Sequence, residues 1–331
     1  MDKSAADAYV YAKVCGIISK SYSGINAEKL FAVKSLSELY SLLFDGEVPA
    51  VPETLLAKEI EKQAEEHFVR DYESLLNCYE KPEKLLVHLL QYYDYKNLQE
   101  IAGALCMQET EEPELTDLRN YALLNYKAWP DIKKITENSP LSWYNRIPDI
   151  TEQQLMDTKL DFQYLRELWE YASKMPYSIR KDILNIFALE FSFNNILWAI
   201  RLRYYYEMPV DEILTHLFFK DTELIKSEKK AGTDLFAGEA VKLLEKDMKN
   251  FDDWKDWKYR DFLNPNEEGV LWEIDPPWLE SKIHQTMIKN YSLELHKFPL
   301  SPMVLVCYFK IKENELDNIR RITEGLRLGG E

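Results

Sequence analysis

Asp252-Asp253-Trp254-Lys255-Asp256 is the segment of this chain whose residue types and spacing come nearest to catalysis. On a helix, carboxylates at i, i+1 and i+4 can share one face and hold Mg²⁺ on a diphosphate. A second metal-binding motif, which that chemistry requires, is missing. The segment also lies inside a dense charge run from Glu245 to Asp261, and the favoured reading of it is a solvated face. Five histidines (His67, His88, His216, His284 and His296) include no HExxH pair and no zinc spacing with cysteine. Each is therefore read as a surface or interface residue. No GxxxxGK[ST] loop, GxGxxG turn, GxSxG elbow or Glu-x-x-His pair occurs. No catalytic residue, cofactor or metal is expected. Cys15, Cys78, Cys106 and Cys307 are scattered without a CxxC pair, as reduced core thiols of a cytoplasmic protein would be.

Charge narrows the partners. With 41 basic against 57 acidic residues the net charge is −16, which disfavours nucleic acid and anionic lipid heads and favours a basic protein surface. A composition 46% hydrophobic and 30% charged supports a real core, and only ten glycines in 331 residues favour long helices over many-turned β architecture. The opening MDKSAADAYVYAK does not read as a signal peptide. The apolar stretch Pro302 to Phe309 is too short to span a bilayer. At a membrane, such a protein would be held there by other subunits.

The elements that must position any site read as helices throughout. Val10, Val14 and Ile17 recur at helical spacing until Gly24 breaks the run. Ser35-Leu36-Ser37-Glu38 is a capping box ahead of Leu39, Leu42 and Leu43. Pro52 and Glu53 open a long helix through Leu56, Ile60, Ala64 and His67. Thr151 with Gln154 is a further start, Asp211 a further cap, and Leu316, Ile319, Ile322 and Leu326 mark a closing helix. Loops are expected at Gln108 to Pro113, Asn138 to Asp149, Met208-Pro209, Asn264-Pro265-Asn266 and Asp275-Pro276-Pro277. The fold class is all-α.

Three segments share a loose pattern, an apolar run followed by Asn and a branched aliphatic residue: Leu89 to Leu98, Phe187 to Ile196 and Tyr308 to Ile319. Their repeat positions are Asn97, Asn195 and Asn318. Buried asparagines of this kind can fix helix register through amide hydrogen bonds. Tyr204-Tyr205-Tyr206 behind Arg201 and Arg203 reads as bundle core with snorkelling arginines, and nearly as well as a protein interface.

The C-terminal stretch from Phe298 to Ile322, with Tyr308, Lys312-Glu313-Asn314-Glu315, Asn318-Ile319-Arg320 and the tail Gly325-Leu326-Arg327-Leu328-Gly329-Gly330, resembles the closing helix of the C-type subunit family of V/A-type rotary ATPases, whose eukaryotic equivalent is the V-ATPase d-type subunit. The N-terminal Tyr9-Val10-Tyr11-Ala12-Lys13-Val14-Cys15-Gly16-Ile17 is similar too, with Lys13 where family members often carry Arg. The resemblance implies three similar helical domains, here 1–112, 113–210 and 211–331, stacked as a tapered funnel with a pseudo-threefold repeat. It implies a non-catalytic central-stalk component at the cytoplasmic face of the membrane, gripping the shaft of the soluble head and the proteolipid ring. Arg201, Arg203, Tyr205, Arg320 and Arg327 are the candidate partner contacts. A generic helical adaptor and a Mg²⁺-dependent isoprenoid-type enzyme at Asp252-Asp253 are the alternatives.

Overall fold

The computed structural model describes residues 2–226, 228–266, 268–269 and 271–329; Gly330, of the expected tail, lies outside them. Among the described residues there is no β-strand. The helices are α1 (Lys3–Ile18), α2 (Glu28–Phe31), α3 (Leu36–Leu43), α4 (Glu53–Leu76), α5 (Lys84–Leu90), α6 (Tyr92–Cys106), α7 (Ile132–Thr136), α8 (Ile150–Ser173), α9 (Tyr177–Tyr206), α10 (Val210–His216), α11 (Glu228–Ala231), α12 (Gly238–Leu243), α13 (Pro276–Lys297) and α14 (Met303–Arg327). They form two compact units, Met1–Met175 with Ser292–Glu331, and Pro176–Tyr291.

Local chemistry starts these helices largely where the sequence expects. Ser35 Oγ accepts from Glu38 N at 3.2 Å while Glu38 Oε2 accepts from Lys34 N at 2.7 Å, so the box closes one residue before the cap. Pro52 ends the loop before α4, whose buried stripe Leu56, Ala57, Ile60, Ala64 and Phe68 leaves His67 exposed. The box-like start at Thr151 falls two residues past the observed cap, because Asp149 flanks α8. Asp211 does not cap α10. Pro209 holds that place, and Asp211 sits in the first turn, where its charge favours the helix dipole.

In the first unit α14 packs along α4, α1, α3 and α5. Residues Met303 to Ile311 are buried on every side, and only beyond them does one polar face emerge, with Leu316 and Ile319 still buried. Phe68 and Tyr72 of α4 meet Phe309 at 5.1 Å each, and Tyr72 stacks on Tyr308 at 6.3 Å. α5 and α6 pack on α8. Here His88 departs from the surface reading: it is 1% exposed, stacks on Tyr164 at 4.8 Å, and its Nε2 donates to Tyr164 O at 3.1 Å. Burial lowers its pKa, so it is a neutral core residue.

In the second unit α10 and α12 pack on α9. Phe191, Phe218 and Phe236 form its centre, with ring separations of 5.1 to 5.4 Å. Polar residues scattered along α9 hide its length in the sequence. It is nevertheless long and apolar enough to cross a membrane by length and composition, with 56% of its most apolar stretch buried inside the protein.

Candidate functional site

Asn97 faces the loop after α6. Its Nδ2 donates to Thr116 O and to Tyr126 Oη, both at 2.8 Å, and its Oδ1 accepts from Thr116 N at 2.9 Å. One turn earlier Asp94, 0% exposed, accepts from Leu123 N at 2.9 Å and from Tyr126 Oη. Burial pushes the Asp94 carboxyl up to about 6, although those two bonds pull it down. Thr116 Oγ1 donates in turn to Glu65, whose second oxygen accepts from Arg320 at 2.6 Å. A continuous hydrogen-bonded chain thus runs from the closing helix through α4 to α6, and it joins two residues singled out from sequence, Arg320 and Asn97.

Asn195 does the same work in the second unit. Its Nδ2 donates to Phe218 O at 2.9 Å and its Oδ1 accepts from Phe218 N at 2.8 Å. Asp234, 7% exposed, holds the next residues by accepting from Lys220 N at 3.1 Å and Asp221 N at 3.0 Å, and it caps its own turn through Phe236 N and Ala237 N. In both clasps the amide's partner is loop backbone about twenty residues downstream, not a neighbouring helix. Asn318 is different: among the described residues its Nδ2 donates to Asn314 Oδ1, at 3.5 Å and on the same helix. The clasp there belongs to Glu315, which accepts from Ser21 Oγ at 2.6 Å and Tyr22 N at 2.9 Å. Glu315 precedes Asn318 by three residues, as Asp94 precedes Asn97.

The candidate contacts divide by what already holds them. Arg201 pairs with Glu280 at 2.6 Å, Arg203 donates to Met208 O at 3.1 Å beyond the end of α9, and Arg320 is taken by Glu65 and by Asp317 at 3.3 Å. Arg327 lies on the surface beside Glu324 at 2.5 Å. Tyr205 and Tyr206 are 54% and 71% exposed, which overturns the core reading of that cluster. Sequence reasoning missed Trp198, also 54% exposed. Spacings of four, three and four put Asn194, Trp198, Arg201 and Tyr205 on one stripe of α9. The signal was the spacing: Trp198 lies three residues before Arg201 and seven before Tyr205, both already singled out as candidate contacts.

The acidic motif gives no catalytic face. Phe251–Trp254 is a short 3₁₀ turn, so Asp252 and Asp253 do not share an α-helical face with Asp256. Asp252 pairs with Lys255 at 2.6 Å, and Asp253 accepts from Asp247 N at 3.1 Å and Asn250 Nδ2 at 2.9 Å. Among the described residues no three of His, Cys, Asp or Glu are placed to hold a metal ion. The ATP synthase (C/AC39) subunit family matches residues 10–330, nearly the whole chain.

The chain belongs to that family. It is a V/A-type ATPase component of the C/d kind, a non-catalytic part of a complex peripheral to the membrane. An uncharacterized protein of Treponema pallidum (strain Nichols) is 27% identical over 333 residues, covering 99% of this chain and 95% of that protein. For an AC39-family protein, the important groups are those that fix its shape and those that meet other subunits. The clasps at Asn97, Asn195 and Glu315 are of the first kind, and the Trp198–Tyr205 stripe has the composition of the second.

Proposed function

We propose that this AC39-family protein stands in the central stalk of a V/A-type ATPase at the cytoplasmic face of the membrane, and couples the shaft of the soluble head to the proteolipid ring during ion transport. The observation that carries the reading is the family match over residues 10–330. Its physical counterpart is a core in which buried carboxylates and amides tie loops to helices. A coupling element must transmit torque without soft bending, and close-packed interiors have low compressibility. Loops pinned by charge-assisted bonds move with the helices that pin them. The three repeats, 1–112, 113–210 and 211–331, belong to the same proposal. Their support is the recurrence of one clasp: a buried amide or carboxylate within a helix, bonded to loop backbone outside it.

Trp198, Arg201 and Tyr205 form the proposed partner contact on α9. Glu280 holds the Arg201 guanidinium in place, so little side-chain freedom remains to be lost on binding. The test is capture of detergent-solubilised proteolipid ring and of shaft subunits on the tagged chain. Retention of both is expected, with the Trp198→Ala/Tyr205→Ala double variant retaining at least tenfold less of one of them. Retention of neither by the unaltered chain overturns the proposal.

A further inference from the structure

The end of the α6–α8 pair carries an exposed surface that none of the clasps uses. The two helices run antiparallel in a register fixed by three contacts. Tyr95 Oη donates to Glu167 at 3.1 Å, Gln99 Nε2 donates to Asp161 Oδ1 at 2.9 Å, and a Cβ at Gly103 would lie 3.0 Å from Gln153 Nε2. One further turn brings Met107, at the end of α6, to the level of Ile150, at the start of α8. Met107 is 65% exposed, Ile150 71% and Ile147, just before α8, 45%. Nothing among the described residues of the first unit covers these side chains.

Their setting is strongly negative. Between Lys96 and Arg119 the chain has no basic residue and six acidic ones, Glu100, Glu109, Glu111, Glu112, Glu114 and Asp117. Glu109, Glu111 and Glu112 follow Met107 directly and are exposed. The α6 macrodipole also presents its negative end at Met107. Arg146, the basic residue beside Ile147, is occupied by Glu152 in a two-pronged pair at 2.7 and 3.1 Å. Farther along, Glu114 is paired with Lys62 at 3.1 Å, so the surface is an aliphatic patch under an anionic rim of Glu109, Glu111 and Glu112.

We infer that this end of the α6–α8 pair docks a basic amphipathic helix of a partner protein, with aliphatic side chains against Met107, Ile147 and Ile150 and lysines or arginines along Glu109, Glu111 and Glu112. Charge complementarity selects that occupant: an acidic helix would be repelled by the rim, and an anionic membrane likewise. Methionine suits such a site, because its unbranched thioether adapts to the side chain laid against it. The apolar anchors give the contact its lifetime, and the rim gives it rate and salt dependence.

The test uses the full chain and two labelled helical peptides of one length, Leu/Lys/Ala and Leu/Glu/Ala, with leucines on one face, followed by fluorescence anisotropy. The Lys peptide is expected to bind at least tenfold more tightly than the Glu peptide. Met107→Ser with Ile150→Ser is expected to weaken it tenfold or more, with the thermal midpoint unchanged. Replacing Glu109, Glu111 and Glu112 by glutamine is expected to weaken it and to flatten its salt dependence. Phe31→Ser, a control at another exposed apolar position of the first unit, is expected to leave it within twofold. The inference fails if the serine pair stays within twofold of the unaltered chain, or if Phe31→Ser weakens binding as much. It fails too if Ile150→Ser instead abolishes a concentration-dependent dimer in sedimentation, since the occupant would then be a second copy.

Discussion

Removing the Asn195 amide tests the clasp reading most directly. Asn195 and Phe218 are 3% and 4% exposed, and the two bonds between them, 2.9 and 2.8 Å, use both main-chain groups of Phe218. Asn195→Ala withdraws a donor and an acceptor from a place water does not reach. A buried polar group left unsatisfied costs about 1–3 kcal/mol. Two such groups put the loss at about 2–6 kcal/mol, a large fraction of a typical domain's stability. Urea unfolding followed by circular dichroism measures the loss, and hydrogen exchange of the segment around Leu217–Phe219 localises it. Asn195→Asp sharpens the test at constant volume. The acceptor toward Phe218 N survives, but a carboxylate oxygen then faces Phe218 O, so the loss should equal or exceed that of alanine at neutral pH and shrink as the acid protonates. Asn318→Ala is the counter-case: its amide has a 3.5 Å contact on its own helix, and the change should stay within about 0.5 kcal/mol. The clasp reading is refuted if Asn195→Ala also stays within that margin with Phe218 exchange unchanged, or if Asn318→Ala costs as much as Asn195→Ala.

Arg320→Ala should cost about 1–3 kcal/mol in the same urea assay, because it strands Glu65 in a mostly buried position, and Arg320→Lys should recover only part, since one ammonium cannot serve Glu65 and Asp317 in the planar geometry of a guanidinium. Asp157→Asn should be neutral near pH 4 and stabilising at pH 7. Burial, then the nearby Asp161, pushes the Asp157 carboxyl up to about 6, so the folded state binds the extra proton and this group's contribution falls as pH rises from about 4 through 6. The side chain is partly exposed, and solvent screening holds the gain to about 1 kcal/mol; a variant less stable than the unaltered chain at pH 7 would contradict the assignment. Cys307, 0% exposed and with its thiol pKa raised by burial, should resist a thiol reagent in the native protein while the half-exposed Cys15, Cys78 and Cys106 react, and all four should react in urea.

What could be read from sequence was whatever a few adjacent residues determine. Ser35 and Glu38 announce a helix start because their bonds span a single turn, and the spacing of Leu56, Ile60 and Ala64 gives the buried face of α4. The asparagines were visible through local pattern, but their partners were not, because Thr116 and Phe218 lie in irregular segments whose path depends on tertiary packing. His88 illustrates the same limit. Nothing near it in sequence indicates the Tyr95, Tyr164 and Tyr171 rings that enclose it. The aromatic run at the end of α9 misled for a related reason: the core of the second unit is already filled by Phe191, Phe218 and Phe236, leaving Tyr205 and Tyr206 outside. Charge patterning gave the right expectation for the Asp252 segment, whose carboxylates are used in surface pairs and turn geometry.

The clasps also bear on why a protein without chemistry would bury so many ionisable groups. Stability alone is a weak reason, since well-packed apolar residues often do as well as buried charges. Directionality is a stronger one. An apolar contact tolerates sliding, whereas Asp94 holding Leu123 N, or Glu315 holding Ser21 and Tyr22, accepts one register and loses its bonds in any other. Glu315 is the most telling case, because it ties the closing helix to the segment just after the first one. The chain from Arg320 through Glu65 and Thr116 to Asn97 extends the same constraint from that helix into α6. On the proposed function, a load applied to α14 cannot be relieved by letting the neighbouring loops slip, because those loops are bonded to it or to helices it grips. Breaking one clasp should therefore soften the protein before it unfolds it. Thr116→Val, which severs the link between Glu65 and the clasp while leaving the Asn97 bonds to the Thr116 backbone in place, should speed hydrogen exchange in the 116–126 loop with a loss of stability of about 1 kcal/mol. Equal acceleration across α4, α6 and α14 would instead mean that the polar chain acts only through global stability.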